Sequence, residues 1–196
     1  MIGVVDYEAG NIASVSNALS TIGVEFVVSN KCETLQSCHG IILPGVGAAP
    51  GAMSSLKSFG LDKFLLSVSK PLLGICLGMQ LLYEESEEGP TRCLGVLHGR
   101  VKKFDERSSK VPHMGWNVVE QRAPNALMEG IPSREFFYFA NSYFSPVDER
   151  TTAATSDGIE FSSIVQKGNL YGVQFHPEKS GRHGLALLNN FSKLCR

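Results

Sequence analysis

The chain contains no apolar run near the roughly 18 residues of a membrane-spanning helix, so we expect no membrane segment. Its charges nearly cancel, with a formal net charge of −1, and this gives no sign of nucleic-acid or anionic-membrane binding. The N-terminus lacks the basic region and apolar stretch of a secretory signal, and the Arg and Ser enrichment of a transit peptide. A cytoplasmic protein is the simplest prediction.

No CxxC pair is present either, which argues against a structural zinc site. The cysteines are odd in number and irregularly spaced, so a reduced setting is expected. We predict no metal and no organic cofactor. By default a cysteine is a small buried hydrophobic residue, and we expect this of all but one. The five are Cys32, Cys38, Cys76, Cys93 and Cys195.

The sequence does contain an alternation of short apolar strands and helical segments. Its 196 residues, 43% of them hydrophobic, suit one domain over residues 1–196 with a substantial core. Asn11 can cap a helix that ends at Gly23. Continuous apolar strands separated by helices indicate a parallel sheet covered on both faces. Four such strands are expected, at residues 2–6, 24–29, 40–44 and 72–75.

The second half of the chain changes to strands separated by short turns. These strands predict a mixed or antiparallel extension of the sheet, followed by a helix over about 181–194. The expected fold class is therefore α/β, with a mostly parallel central sheet, helices on both faces and this extension. The additional strands are expected at 101–104, 116–121, 136–140, 151–156, 162–166 and 170–175.

The segment GICLG at residues 74–78 has the G-x-C-x-G pattern of a nucleophile elbow, a sharp strand-to-helix turn. The two glycines remove side chains that would clash in such a turn. Cys76 would then lie at a helix N-terminus, where backbone N–H groups favour a thiolate. The N–H of Leu77 could bind a developing oxyanion. An ordinary buried cysteine remains the alternative at this point.

A nucleophilic cysteine needs a base, and His176 follows an apolar strand in the segment HPE. Parallel α/β sheets place their chemistry at strand ends. Glu178, beyond Pro177, could reach back and orient the imidazole. A lone histidine at a strand end is usually structural. Combined with the elbow cysteine, the pattern predicts a triad of Cys76, His176 and Glu178.

The segment PGVG at residues 44–47 follows the third predicted strand. Such loops often bind phosphates, but neither the dinucleotide fingerprint nor the P-loop pattern is completed. Alternatively, the loop lies beside the elbow and offers a second oxyanion N–H. Gly45 and Gly47 would then allow the peptide around Val46 more than one orientation.

Together these motifs resemble the triad-type (class I) glutamine amidotransferases. GICLGMQ, PGVG and GVQFHPEKSG carry that resemblance, which spans the chain from end to end. More specific segments resemble the branch formed by glutaminase subunits of imidazole glycerol phosphate synthases. Those segments are VVDYEAGN at 4–11, PGVGAAPGAM at 44–53, VPHMGWN at 111–117 and the Tyr-Phe-x-x-Ser-Tyr run at 138–143.

The resemblance implies an enzyme that hydrolyses L-glutamine to glutamate and ammonia. Cys76 would attack the carboxamide and form a γ-glutamyl thioester, while His176 shuttles protons and Glu178 holds the imidazole. The oxyanion is expected at the N–H groups of Leu77 and of the Gly45–Val46 loop. The residues expected to hold glutamine are Gly47, Gln80, Ser142 and Tyr143.

The resemblance also implies a heterodimer with a (βα)8-barrel cyclase subunit. In that family, ammonia passes through the barrel to a ribulosyl-formimino aminoimidazole carboxamide ribotide. The products are imidazole glycerol phosphate, for histidine synthesis, and an aminoimidazole carboxamide ribotide used in purine synthesis. For Met114 and Trp116, a place in the core is the alternative. The partner-facing residues implied are Asn11, Met114, Trp116, Tyr138 and Lys179.

Two residues depart from the family pattern: Glu8 replaces a glycine, and Asn141 replaces a common histidine. If the glycine serves a positive φ, Glu8 would cost about 1 kcal/mol or more, while a surface change at the subunit interface is the alternative. Asn141 can form hydrogen bonds but cannot titrate near neutrality, so coupling to the partner could differ. The four glutamates within residues 84–88 are interpreted as a solvated helix end.

Three other functions compete with this interpretation. One is another glutaminase of the class, serving anthranilate, carbamoyl phosphate, GMP or pyridoxal phosphate synthesis, which the segments at 4–11 and 111–117 disfavour. Another is a free-standing cysteine hydrolase or peptidase, although no long insertion suggests an acceptor-substrate pocket. The third is a binding module with a redox-sensing cysteine, which would leave Glu178 and Gln80 without a role.

Overall fold

The computed structural model describes residues 1–8, 10–107 and 110–195. Ala9, within the opening segment at 4–11, and Arg196, the last residue of the predicted domain, lie outside these ranges. Within them, no helix is both long and apolar enough to cross a membrane.

Strands and helices alternate through the first half of the chain, as predicted. They are β1 (Ile2–Val5), α1 (Ile12–Thr21), β2 (Phe26–Ser29), α2 (Cys32–Gln36), β3 (Gly40–Leu43), α3 (Ala49–Ser58), α4 (Leu61–Ser67), β4 (Leu72–Ile75) and α5 (Leu77–Gln80).

Strands dominate the second half, with 3₁₀ turns at Ala126–Met128 and Pro177–Lys179. The elements are β5 (Tyr83–Ser86), β6 (Thr91–Arg92), β7 (Leu97–Lys103), β8 (His113–Gln121), β9 (Arg134–Asn141), β10 (Tyr143–Phe144), β11 (Thr151–Asp157), β12 (Ile159–Lys167), β13 (Leu170–Val173) and α6 (Gly181–Leu194).

A nine-stranded mixed sheet runs in the order β2-β1-β3-β4-β13-β12-β11-β8-β9. In this order, every pair of neighbouring strands from β2 to β13 is parallel, and every pair from β13 to β9 is antiparallel. The antiparallel extension is thus as wide as the parallel part. Because β13 is parallel to β4, the ends of these two strands lie side by side, and the residues that follow them become neighbours.

Helices cover both faces of the parallel part, as predicted from its apolar strands. Successive strand residues point to opposite faces. Ile2 and Val4 pack with α1 and α6, whereas Val5 packs with α2, α3 and α4. The first helix ends as expected, because Gly23 takes a left-handed φ of +67° just beyond it.

Two details of the sequence-based prediction are wrong. Residues 101–104 were expected in the central sheet, but Val101–Lys103 belong to β7 of a second sheet ordered β10-β7-β5-β6. A local sequence pattern indicates a strand without specifying the strand that lies beside it. Asn11 occupies the N-cap position of α1 but makes no side-chain cap. Its Nδ2 instead donates to Glu178 Oε1 at 3.4 Å.

Candidate active site

Cys76 occupies a strained turn between β4 and α5. Its φ is +52°, a left-handed value that costs a non-glycine residue about 1–3 kcal/mol. The flanking glycines are required by close approach of the backbone. A Cβ at Gly78 would lie 1.9 Å from Leu43 O, and one at Gly74 would lie 2.7 Å from Met79 N. The turn is therefore an elbow, although α5 is a single turn and its dipole is correspondingly small.

Cys76 is only 5% exposed, and its thiol has polar neighbours. Its Sγ lies 3.8 Å from Ala140 O and 3.7 Å from Gln174 Nε2. The backbone is anchored to the neighbouring strand, because the N–H of Cys76 donates to Val173 O at 2.8 Å. This bond continues the pairing of β4 with β13 and brings the elbow beside the residues after β13.

His176 is held beside the elbow by bonds on both sides of its backbone. Its N–H donates to Tyr138 O at 2.8 Å, and its carbonyl accepts from Ser180 Oγ at 2.6 Å. The Pro177–Lys179 turn folds the chain back toward the imidazole. As a result His176 Nδ1 and Glu178 Oε1 lie 2.8 Å apart, with side chains 2% and 1% exposed.

The environment of His176 favours its protonated form. Burial alone acts to lower the pKa of the imidazole, but hydrogen bonds and charge attraction from Cys76 and Glu178 outweigh it. The resulting pKa lies above the usual value of 6.5. An imidazolium that persists at neutral pH beside a sulfur atom is suited to a thiolate–imidazolium pair.

The PGVG loop packs directly against the elbow. A Cβ at Gly45 would lie 2.4 Å from Gly78 N, so only glycine allows this approach. The loop is anchored at its start, where buried Tyr7 donates its hydroxyl to Pro44 O at 2.8 Å. Gly47 has a φ of +91°, and Val46 is exposed. The loop is therefore held directly beside the elbow.

A cleft of about 240 Å³ opens in front of Cys76 and His176. Of the residues expected to bind glutamine or the oxyanion, all except Gly45 line it; Gly45 lies behind, against the elbow. Glu178 is behind His176, and Asn11, Trp116 and Tyr138 are also outside the lining. The lining residues are Val46, Gly47, Cys76, Leu77, Gln80, Glu88, Pro112, Met114, Ala140, Asn141, Ser142, Tyr143, His176 and Lys179.

Comparison with known proteins agrees with this geometry. The family model of class-I glutamine amidotransferases matches residues 3–194. A protein of Dehalococcoides mccartyi named imidazole glycerol phosphate synthase subunit HisH is 46% identical, with 100% of this chain and 98% of that protein covered. A Shouchella clausii protein of the same name is also 46% identical, with 99% and 98% covered. The chain belongs to the class-I glutamine amidotransferase family.

As a member of this family, the chain is an enzyme with glutamine amidotransferase activity, as predicted. The two relatives also confirm the resemblance to glutaminase subunits of imidazole glycerol phosphate synthases. A solved structure described as a glutamine amidotransferase superposes with a TM-score of 0.77 at 22% identity. The superposition covers 99% of this chain and 98% of the chain in that structure. At this identity the likeness concerns the fold alone, and it confirms the predicted fold class.

Glu88 and Gln174 are polar side chains at the site of this amidotransferase that the motifs did not single out. Glu88 was assigned to a solvated helix end, which is wrong, because α5 stops after one turn and residues 83–86 form β5. Glu88 lines the cleft, and its Oε2 accepts the N–H of Ala49 at 2.7 Å. Gln174 contacts Cys76. Its position two residues before His176, on the same side of the chain, could have revealed it.

Both departures from the family pattern have structural consequences. Glu8 is exposed and has a φ of +62°, so the strain expected from a lost glycine is present. Asn141 is buried, and its Nδ2 donates to Tyr143 O at 2.9 Å. Its Oδ1 has no hydrogen-bond partner among the described residues. The side chain therefore supports the cleft wall without adding a titratable group.

The strands β8 and β9 expose an apolar surface, which we call the outer patch and define as Met114, Trp116, Phe136 and Tyr138. Met114 and Trp116 are 64% and 54% exposed, so the core alternative for them is wrong. Trp116 and Tyr138 are opposite each other on the two strands, and their rings contact edge to face with 6.1 Å between the ring centroids. Lys179 is exposed and lines the cleft, as does Met114.

Proposed function

We propose that this amidotransferase hydrolyses L-glutamine to glutamate and ammonia through a thioester on Cys76. The observation that carries the proposal is the open cleft over Cys76 with the buried His176–Glu178 pair beside it. The thiolate attacks the carboxamide carbon, and the imidazolium gives its proton to the departing ammonia. The neutral imidazole then takes a proton from water, which attacks the thioester and releases glutamate.

The elbow and the PGVG loop together support an oxyanion site with two backbone donors. Leu77 follows the nucleophile as the first residue of α5, where a backbone N–H has no partner within the helix. The Gly45–Val46 peptide lies beside it, packed against Leu77 and Gly78. Two such donors would stabilise the charge that develops on the carbonyl oxygen.

The polar lining suits the rest of a glutamine molecule. Gln80 uses its Nε2 to bond Tyr143 O and Gln174 Oε1, so its own Oε1 is the atom left for a ligand. Gly47, Ser142 and Tyr143 complete that wall. Glu88 is the one carboxylate among the described lining residues, and we assign it to the α-ammonium group.

Replacing Glu88 with glutamine is expected to raise KM for glutamine roughly 10- to 100-fold with little change in kcat. The amide oxygen would still accept the N–H of Ala49, so the change removes mainly the charge. Glu87→Gln is the matched control, because Glu87 bonds Lys103 N and does not line the cleft. Steady-state kinetics decides, and an unchanged KM in Glu88→Gln would exclude this assignment.

Replacing Glu178 with glutamine is expected to lower kcat roughly 10²- to 10³-fold, a smaller loss than removing the nucleophile. The carboxylate orients the imidazole without transferring the proton itself. Glu178 Oε2 is buried without a partner among the described residues, so the new amide would bury an unsatisfied NH₂ there. Glu160→Gln, at an exposed pair with Arg122, is the control. A loss equal to that of Cys76→Ala would show a larger role for the carboxylate.

We further propose that the ammonia is passed to a (βα)8-barrel cyclase subunit in a heterodimer that makes imidazole glycerol phosphate and aminoimidazole carboxamide ribotide. The outer patch supports this, because large apolar side chains exposed together are typical of protein interfaces. It adjoins the cleft, since Met114 belongs to both. Asn11 and Lys179 lie next to the triad, so contact of the partner with these residues would change the surroundings of the triad. The five free cysteines support a cytoplasmic location.

Glutamate release is the measurement that tests the function. The chain is assayed alone, then with a barrel-type cyclase subunit, then with that subunit and its ribotide ligand. We expect near silence alone and strong stimulation by the liganded partner. Full activity of the chain alone would instead indicate a pre-formed oxyanion site and a free-standing amidase.

The same assay tests the outer patch. Trp116→Ala is expected to reduce the stimulation by the partner at least about tenfold, the loss usual for a central aromatic interface residue. Ile159→Ala removes an exposed apolar side chain on β12, a strand that pairs with neither β8 nor β9, and should leave the stimulation intact. Equal stimulation of both variants would place the partner on another surface.

A further inference from the structure

Gln174 is a fully buried side chain beside the nucleophile with no role assigned so far. Its exposed fraction is 0%, and its Nε2 lies 3.7 Å from Cys76 Sγ. Its backbone is fixed, because its N–H donates to Ser163 O at 2.9 Å. Polar groups at such depth are retained only where they find partners, and the sulfur is one of two partners of this side chain.

The amide of Gln174 can face only one way. Gln80 Nε2 lies 2.9 Å from Tyr143 O, and a backbone carbonyl only accepts, so the NH₂ group of Gln80 must face it. The same NH₂ group lies 3.0 Å from Gln174 Oε1. If the Gln174 amide were rotated by half a turn, its NH₂ group would face the NH₂ group of Gln80, and its oxygen would face the sulfur of Cys76. Its own NH₂ group is therefore directed at Cys76.

The other neighbours of the sulfur act differently. Ala140 O, at 3.8 Å, can only accept and so favours the S–H form. His176 is a charged donor to the sulfur, and Tyr7 faces it while its hydroxyl is committed to Pro44. Glu88, Tyr143 and Lys179 are the further titratable groups on the cleft wall. Gln174 is thus a donor to the sulfur whose strength does not change with pH.

We propose that Gln174 is a positioning residue that holds Cys76 as a thiolate, with its N–H directed at the sulfur by Gln80 and the carbonyl of Tyr143. The inference rests on the proposed role of Cys76 as the nucleophile. It links the wall of the substrate cleft to the sulfur through two amide groups, so a change at Gln80 also reaches Cys76.

The test is the pH dependence of Cys76 alkylation by iodoacetamide in the intact chain, followed by mass spectrometry of the peptide that carries Cys76. Gln174→Met keeps the length of the side chain and removes the donor. It is expected to raise the apparent pKa of alkylation by about one pH unit. Gln80→Met should shift it less and in the same direction, because Gln174 then loses only its orientation.

Gln166→Met is the matched control. Gln166 lies on β12, where its Oε1 accepts from Asn125 Nδ2 at 3.2 Å, away from the cleft. It should leave the alkylation pKa unchanged. If Gln174→Met shows no cooperative unfolding in a thermal melt, Gln174→Leu also removes the donor and should likewise raise the pKa. An unshifted pKa in a folded Gln174 variant overturns the inference.

The alkylation measurement needs no glutamine, so it separates this inference from the proposed function. Glutamine hydrolysis that survives Cys76→Ala would overturn the proposed function. A normal alkylation pKa in Gln174→Met, together with inactive Cys76→Ala, would overturn only the role of Gln174.

Discussion

Cys76→Ala is expected to lower glutamine hydrolysis at least about 10⁴-fold, measured as glutamate release in the presence of the partner and its ligand. No other described side chain at the elbow can form the thioester, because Leu77 and Gly78 follow directly and Gly74 and Ile75 precede it. Binding of glutamine should persist, since Gln80 and the rest of the wall are untouched. The loss should therefore appear in kcat rather than in KM.

Alanine at position 76 also keeps the φ of +52°, so the variant remains strained but loses no large side chain. Cys32→Ala is the matched control: Cys32 is half-buried at the start of α2, where its Sγ contacts Gly60 O at 3.9 Å. It should retain full activity. Residual hydrolysis by Cys76→Ala within tenfold of the unchanged protein would mean that the nucleophile is misassigned.

His176→Ala is expected to cause a loss of similar size, because base and nucleophile act as one unit. Without the imidazole, Cys76 loses its charged hydrogen-bond donor, and the departing ammonia loses its proton source. The double variant Cys76→Ala, His176→Ala should be no less active than either single variant. Single-turnover glutamate release with the partner present measures all three.

His98→Ala provides the control for a histidine paired with a glutamate. His98 Nδ1 lies 2.9 Å from Glu84 Oε1, but both side chains are exposed, and such pairs contribute little to stability. That variant should be indistinguishable from the unchanged protein. Losses that multiply in the Cys76, His176 double variant would show two independent catalytic functions instead of one thiolate–imidazolium pair.

Local sequence patterns predicted the turn at Cys76 and the contact between His176 and Glu178. The geometry of each depends on residues that are close together in the chain. Gly74 and Gly78 specify a turn in which no Cβ fits, and the structure has that turn. Glu178 follows His176 by two residues, so a 3₁₀ turn suffices to bring their side chains together. Short segments between turns or helices, apolar throughout in the first half of the chain, likewise located most strands.

Other contacts depend on which strands become neighbours, and local patterns carry little of that information. Gln174 meets Cys76 only because β13 pairs with β4 across nearly 100 residues of chain, a separation of 98 between the two. Glu88 reaches the cleft because α5 ends after one turn and β5 joins a second sheet. Asn11 was predicted as a cap, and its contact with Glu178 depends on packing between α1 and the Pro177–Lys179 turn.

The sequence by itself determined the elbow, the His-Pro-Glu pair, the α/β class and the family, because each is specified by residues adjacent in the chain or by motifs that span it. The tertiary structure alone decided the width of the antiparallel half, the second sheet, the exposure of Trp116 and the amide contacts on Cys76. The physical reason is that strand order and burial are set by packing over the whole molecule. A strand's alternation is the same whichever strand lies beside it.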